Sequence, residues 1–401
     1  MRIVFVNLHC NVFFIKPFNH ILQGNKLKTF KQRYLLDYAI KKGIKVVNYI
    51  NDEGTTAPKW MNKYSSNNLG RVQESKLVFW KNHIDVSKIE IITDIKSIQK
   101  DDIVMISYYY RDQMKCLKNV NGYKVVLGQH FISLYSNPNL SKMGVNCFVN
   151  EVDVSKNKFI NKYFNLNNVN QYILPFVFQD RFKKKVSADR RKNKALAIGT
   201  LSTVKGAGYD EYVKFTGTYW VQPIRREILL KKNKLVEYID SNISYIFEDK
   251  TYEIIEKDLV IIKELKKVYN WFHGWRQTNY LSFDMVDRFN EYKMFICPEE
   301  AIGMPGIGFV EGMACGCAYI GLDHDMYKCL GLIPGIHYIA YDGTLEDLIE
   351  KIKYYQEHNE ELEIIAKAGY SYVRKNFNQT IVAKKFFDYI KVRAQENFEG
   401  R

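Results

Sequence analysis

Short runs rich in valine and isoleucine recur along the chain with amphipathic stretches between them. This alternation limits the fold more than any other feature. The runs stand at residues 2–7 (RIVFVN), 44–50 (IKVVNYI), 89–93, 102–107 (DIVMIS) and 123–128 (YKVVLG). Between them lie segments such as KTFKQRYLLDYAIKKG, where Tyr34, Leu35, Ala39 and Ile40 fall at roughly helical spacing. Continuous β-branched runs separated by helices predict parallel strands buried on both faces. The expected class is α/β, a βαβ sheet with helices on either side.

The pattern breaks at residues 174–194, where LPFVFQDRFKKKVSADRRKNK holds eight basic residues. We read this stretch as a domain boundary and a solvated linker. Beyond it the alternation restarts, with strands expected at 194–200, 243–249, 294–300, 317–323 and 336–342. A helix follows over 343–358 with Thr344 as its cap, and a last helix is expected within 381–395. The chain of 401 residues is thus read as a domain over 1–185, a second over 186–375, and a tail helix over 376–401 that packs back on the first.

Composition narrows the function. Apolar residues make up 46% and charged residues 26%, ordinary globular values that exclude global disorder and coiled coil. The formal charge of +15 suits nucleic acid, an anionic membrane surface or a phosphate-rich small molecule. Seven scattered cysteines, an odd number, predict a reduced cytosolic compartment. The close pair Cys315 and Cys317 is read as buried thiols rather than a metal site. No run reaches about 18 apolar residues, the length that crosses a bilayer. The apolar start is broken by Asn7, His9 and Asn11 and reads as a buried first strand, not a signal peptide.

The most informative stretch is PEEAIGMPGIGFVEGMACGCAYIG, residues 298–321. A strand ends in two acids, a loop rich in glycine follows (Gly303, Gly306, Gly308), and a helix opens near Phe309 with Glu311 in its first turn. Glycines let backbone N–H groups approach a ligand. A helix N-terminus suits a diphosphate, and a carboxylate such as Glu311 can accept both hydroxyls of a ribose.

Within this stretch Glu311, Met313, Ala314, Cys315 and Gly316 match position for position the donor-binding segment of retaining glycosyltransferases of GT-B fold, the large family 4 group, which it resembles. Gly312 stands where the family has alanine. The family's first glutamate falls at Gly303 here, so either Glu300, three residues earlier, takes its place near the donor sugar or the role is absent. GTLSTVKG, residues 199–206, is similar to the family's loop after the first strand of the C-terminal domain. There Lys205 matches a diphosphate-binding lysine, and Thr200 replaces the arginine. Burying an unpaired diphosphate costs several kcal/mol, so a second cation is expected, and Arg225 or Arg226 after Pro223 is the candidate.

The resemblance implies two facing Rossmann-like domains across a cleft, the first holding the acceptor and the second a nucleotide-sugar donor. It implies sugar transfer to an acceptor hydroxyl, in bacterial cell-surface glycan synthesis, with a glycan or lipid-linked glycan acceptor and no bound metal. The assigned roles are His130 and Glu300 at the reacting centre, and Lys205, Thr200, Arg225, Arg226, Gly306, Gly308 and Glu311 on the donor. His130 follows a buried strand, where ligands of open α/β sheets bind; His9 and His273 are weaker candidates. Asp323, His324 and Asp325 read as a loop. The expected location is cytoplasmic, with peripheral contact to the membrane, and nucleic acid is not expected as partner. Two other readings fit less of the sequence. A nucleotide-sugar epimerase on the same fold would need an acid/base pair that is not found. A polyanion binder uses only the charge.

Overall fold

The computed structural model describes residues 1–8, 32–50, 68–107, 120–128, 140–163, 168–204, 210–245 and 283–399, with single positions between them. The chain divides into two compact units, 1–177 with 378–401 and 178–377.

The first unit holds a seven-stranded sheet: β1 (Arg2–Val6), β2 (Lys45–Tyr49), β3 (Ile89–Ile92), β4 (Ile103–Ser107), β5 (Tyr123–Leu127), β6 (Cys147–Asn150) and β7 (Asn170–Ile173). Their order is β3-β2-β1-β4-β5-β6-β7, and every neighbouring pair is parallel. Val46, Val47, Val104, Val125 and Val126 are all within 1% of full burial, as a sheet covered on both faces requires.

The tail helix Gln379–Glu399 belongs to this unit. Val382, Ala383, Phe386, Phe387, Ile390 and Ala394 recur at helical spacing and are buried in the same core as Tyr34, Leu35 and Ala39 of the Arg33–Lys41 helix. Phe387 stacks on Tyr38 at 5.6 Å and Phe386 lies 5.5 Å from Tyr172. Each such side chain stabilises by about 1.5–3 kcal/mol on burial, which explains why the last helix docks on the first unit.

The second unit holds a five-stranded sheet: β8 (Lys192–Leu201), β9 (Ile239–Tyr245), β10 (Tyr292–Ile296), β11 (Ala318–Leu322) and β12 (Ile339–Tyr341). Its order is β12-β11-β10-β8-β9, again all parallel. The chain runs from β8 outward to β9, then returns to the other side of β8 and continues outward. The direction reverses between β8 and β10, and at such a point the loops leaving the two strands diverge and open a crevice.

The Leu345–Glu357 helix starts where expected: the Thr344 hydroxyl accepts from the Asp347 N–H at 3.2 Å. Thr344→Ala is expected to cost the second unit about 1 kcal/mol, read by urea unfolding.

The boundary stretch differs from its expected character. The division between the units falls at Val177–Phe178, and the basic segment, though exposed at Lys183, Lys184, Lys185, Arg190 and Lys192, is docked at Arg191. Arg191 is 4% exposed. Its guanidinium donates to the carbonyls of Val186, Phe289, Tyr292 and Cys315 and to Asn290 Oδ1. Lys185 pairs with Asp287 at 2.7 Å. Charge count alone signals solvation, but an arginine has five donors and can satisfy several buried carbonyls at once.

Candidate functional site

The crevice between the carboxyl ends of β8 and β10 gathers most of the described site residues. At its β8 side Gly199, still within the strand, takes φ +144, and a Cβ there would lie 2.7 Å from the Arg225 guanidinium. Arg225 comes from the Pro223–Lys231 helix, which carries proline in its first turn. Its Nη1 donates to the Thr200 carbonyl at 2.9 Å and its Nη2 lies 3.6 Å from the Cys297 sulfur at the end of β10. One side chain thus spans both strand ends.

Arg225 is only 8% exposed, and its Nε has no hydrogen-bond partner. No carboxylate pairs with it among the described residues. A buried guanidinium without an anion is retained at a cost in stability of several kcal/mol.

The glycine-rich loop lies directly on this pair. A Cβ at Gly306 would sit 3.2 Å from Cys297 Sγ and 3.6 Å from Arg225 Nη2, and one at Gly308 would sit 2.9 Å from the same sulfur. The close approach to Cys297 therefore accounts for both glycines. Burial raises the Cys297 thiol, Arg225 draws it down, and Glu299 and Glu311 push it up again. The loop is pinned by Ala301 N–H to the Val221 carbonyl at 2.7 Å and by Glu300 N–H to the Met304 carbonyl at 2.9 Å.

The helix that follows, Gly308–Ala314, is only seven residues long and ends in left-handed Gly316, φ +75. So short a helix carries a correspondingly small terminal charge. Glu311 is half-buried in its first turn. Gly312 stands where the family has alanine because the Phe295 ring occupies the space of a Cβ.

The two acids after β10 part company. Glu299 is 5% exposed and turned inward among tyrosines. Glu300 is half-buried beside Tyr212, whose hydroxyl is raised by burial and then by the Glu300 charge. Consecutive residues leaving a strand point to opposite sides, so one acid is structural and the next faces away.

Of the donor-side candidates, the structure brings Arg225, Gly306 and Gly308 together around Cys297, with Glu311 and Glu300 on the same loop and helix. Thr200 contributes its carbonyl, which holds Arg225, in place of a side-chain contact. Arg226 does not join them; its guanidinium lies 5.1 Å from the Trp220 ring centroid. Lys205 and His130, with His9 and His273, lie outside the described residues. Cys315 and Cys317 are buried core thiols, both raised by burial, Cys315 to about 12. Asp323 pairs with Lys328 at 2.7 Å, and His324 Nδ1 accepts from Met326 N–H. Cys297 and Glu299 are the site members the sequence reading lacked. A cysteine at a strand end and one acid of a pair carry no signal of their own without the topology.

Residues 260–388 match the family model described as glycosyl transferase-like. Comparison with curated proteins gives no match. Among solved structures, the chain is similar to sucrose-phosphate synthase from Thermosynechococcus elongatus, at 10% identity, with all of both chains covered and a TM-score of 0.54. It is also similar to HepE from Anabaena in complex with UDP-glucose, at 12% identity, over 98% of this chain and 100% of that one, with a TM-score of 0.54. At these identities the likeness is one of fold. The chain is a two-unit parallel α/β protein of the GT-B class. Within that fold, residues 260–388, most of them in the second unit, carry the glycosyl transferase-like match.

Proposed function

We propose that the chain transfers a sugar from a nucleotide-diphosphate donor to an acceptor hydroxyl, with retention at the anomeric carbon, in the assembly of a bacterial cell-surface glycan. The observation that carries the reading is the buried Arg225 at the β8–β10 crevice, which has no carboxylate partner among the described residues. The UDP-glucose complex of the structurally similar HepE supports the donor class.

In this reading the second unit holds the donor. Arg225 and Lys205 face the diphosphate, the loop amides at Gly306 and Gly308 add hydrogen bonds, Glu311 receives the ribose hydroxyls and Glu300 reads the sugar. The first unit holds a glycan or lipid-linked acceptor, with His130 at the reacting centre. The surplus of basic residues favours the anionic face of the cell membrane.

Chemistry follows from charge. As the glycosidic bond to phosphate lengthens, the leaving nucleoside diphosphate gathers negative charge, and cations and N–H groups already fixed in place stabilise it. The leaving phosphate oxygen accepts the acceptor's proton, so no separate base is needed.

Glu311→Ala is expected to weaken nucleoside-diphosphate binding by about 1–3 kcal/mol through lost charged hydrogen bonds. Calorimetric titration of the folded variant checks this. Unchanged affinity would remove Glu311 from the ribose.

A further inference from the structure

Glu299 leaves β10 pointing into the protein, and every partner it has among the described residues is neutral. Its Oε1 accepts from Tyr319 O–H at 3.1 Å, from Tyr327 O–H and from Leu322 N–H at 3.0 Å. Its Oε2 accepts from Tyr341 O–H at 3.4 Å. Tyr319 and Leu322 belong to β11, Tyr327 to the short Asp325–Lys328 helix and Tyr341 to β12. One carboxylate therefore ties three later elements to the exit of β10. All three phenols are raised by burial first and by Glu299 itself, so they stay protonated and keep donating.

The same network reaches the loop a second time. The short helix that carries Tyr327 is capped by His324, whose Nδ1 accepts from Met326 N–H at 3.2 Å. With that nitrogen occupied, the ring turns its Nε2 toward Gly303, 3.3 Å from where a Cβ would stand. Gly303 takes φ +80, and its N–H donates to the Glu300 carbonyl at 2.7 Å. The segment from Glu299 to Gly303 is held at its start by the carboxylate, and at Gly303 the histidine ring leaves little room for a side chain.

We propose that Glu299 is a positioning residue for the donor site: through its tyrosine cage it fixes the course of residues 300–308, and so the placement of Glu300 and of the loop over Arg225. The proposal rests on the donor-site reading above. An anchor for packing alone is met by an apolar side chain. A carboxylate ringed by three phenols and a backbone N–H, with Tyr319 and Tyr327 also sharing a hydrogen bond at 2.6 Å, instead selects one geometry, because each polar group left unpaired would be costly.

The test uses the full chain with UDP as probe, at a temperature well below unfolding. Tyr327→Phe removes one donor and keeps the ring. It is expected to weaken UDP binding about tenfold, the scale of one charged hydrogen bond, and to speed amide hydrogen exchange at residues 300–308. Glu299→Ala should do more on both readouts and Glu299→Gln less, since an amide oxygen still accepts from the cage. Thr344→Ala, which weakens the unit elsewhere, should leave both readouts unchanged. Equal UDP affinity and equal exchange in folded Tyr327→Phe would overturn the proposal. If the wild-type chain bound no nucleoside diphosphate, the donor reading would fall. Exchange at 300–308 would then decide separately whether the cage grips the loop: faster exchange in Tyr327→Phe supports the grip and unchanged exchange refutes it.

Discussion

Arg225→Met is expected to lower nucleoside-diphosphate affinity by about 100-fold while leaving the protein as stable as before or more so. The two parts have one cause. Among the described residues, Arg225 is buried with a carbonyl and a thiol for company and no anion. A diphosphate would supply that anion, and charge-assisted hydrogen bonds to it are worth about 1.5–3 kcal/mol each. Without ligand, a buried charge replaced by an apolar side chain of similar length is often neutral or stabilising by about 1–4 kcal/mol. Calorimetric titration and thermal unfolding of the same variant check both signs. A variant that unfolds early and still binds would show that Arg225 serves the fold.

Arg191→Ala should do the reverse. Its guanidinium holds four backbone carbonyls and Asn290 from the linker, from the end of the Met285–Glu291 helix and from the turn at Cys315. Removing it strands buried acceptors, each costing about 1–3 kcal/mol in full, so a loss of about 3–4 kcal/mol is expected. That corresponds to a fall of about 10 °C in the unfolding of the second unit. Affinity for a nucleoside diphosphate in the folded protein at low temperature should be unchanged. Two buried arginines in one unit are thus separated by what surrounds them among the described residues: four carbonyls and an amide oxygen for Arg191, and one carbonyl and a thiol for Arg225.

The sheet strands were legible where they are apolar on both faces. β1, β2, β4 and β5 stand within two residues of their expected limits because valine and isoleucine runs have no other stable placement. β6 and β7 gave no such signal. Each has four residues, and β7 (NQYI) is an edge strand with its first two residues exposed. The helix Asn359–Asn376 was hidden because its buried stripe of Leu362, Ile365, Gly369 and Val373 contains a glycine. Gly369 is there because a Cβ would meet the His337 carbonyl and Met313.

The site was legible in its residues more than in its geometry. The motif around Glu311 marked the loop that lies against Cys297 and Arg225, and Pro223 marked the helix that brings Arg225. Whether Arg225 or Arg226 faces the loop depends on helix rotation, which Trp220 and Gly199 decide from elsewhere in the chain. The tyrosines at 319, 327 and 341 read only as aromatic richness, since nothing in sequence pairs them with Glu299.

The most direct test of the account is calorimetric titration of the full chain with nucleoside diphosphates at moderate salt, repeated with Arg225→Met. The account predicts saturable binding of one nucleotide per chain, selective for one base and lost in the variant. No saturable binding to any nucleotide, together with binding to polyanions that collapses as salt rises, would contradict it.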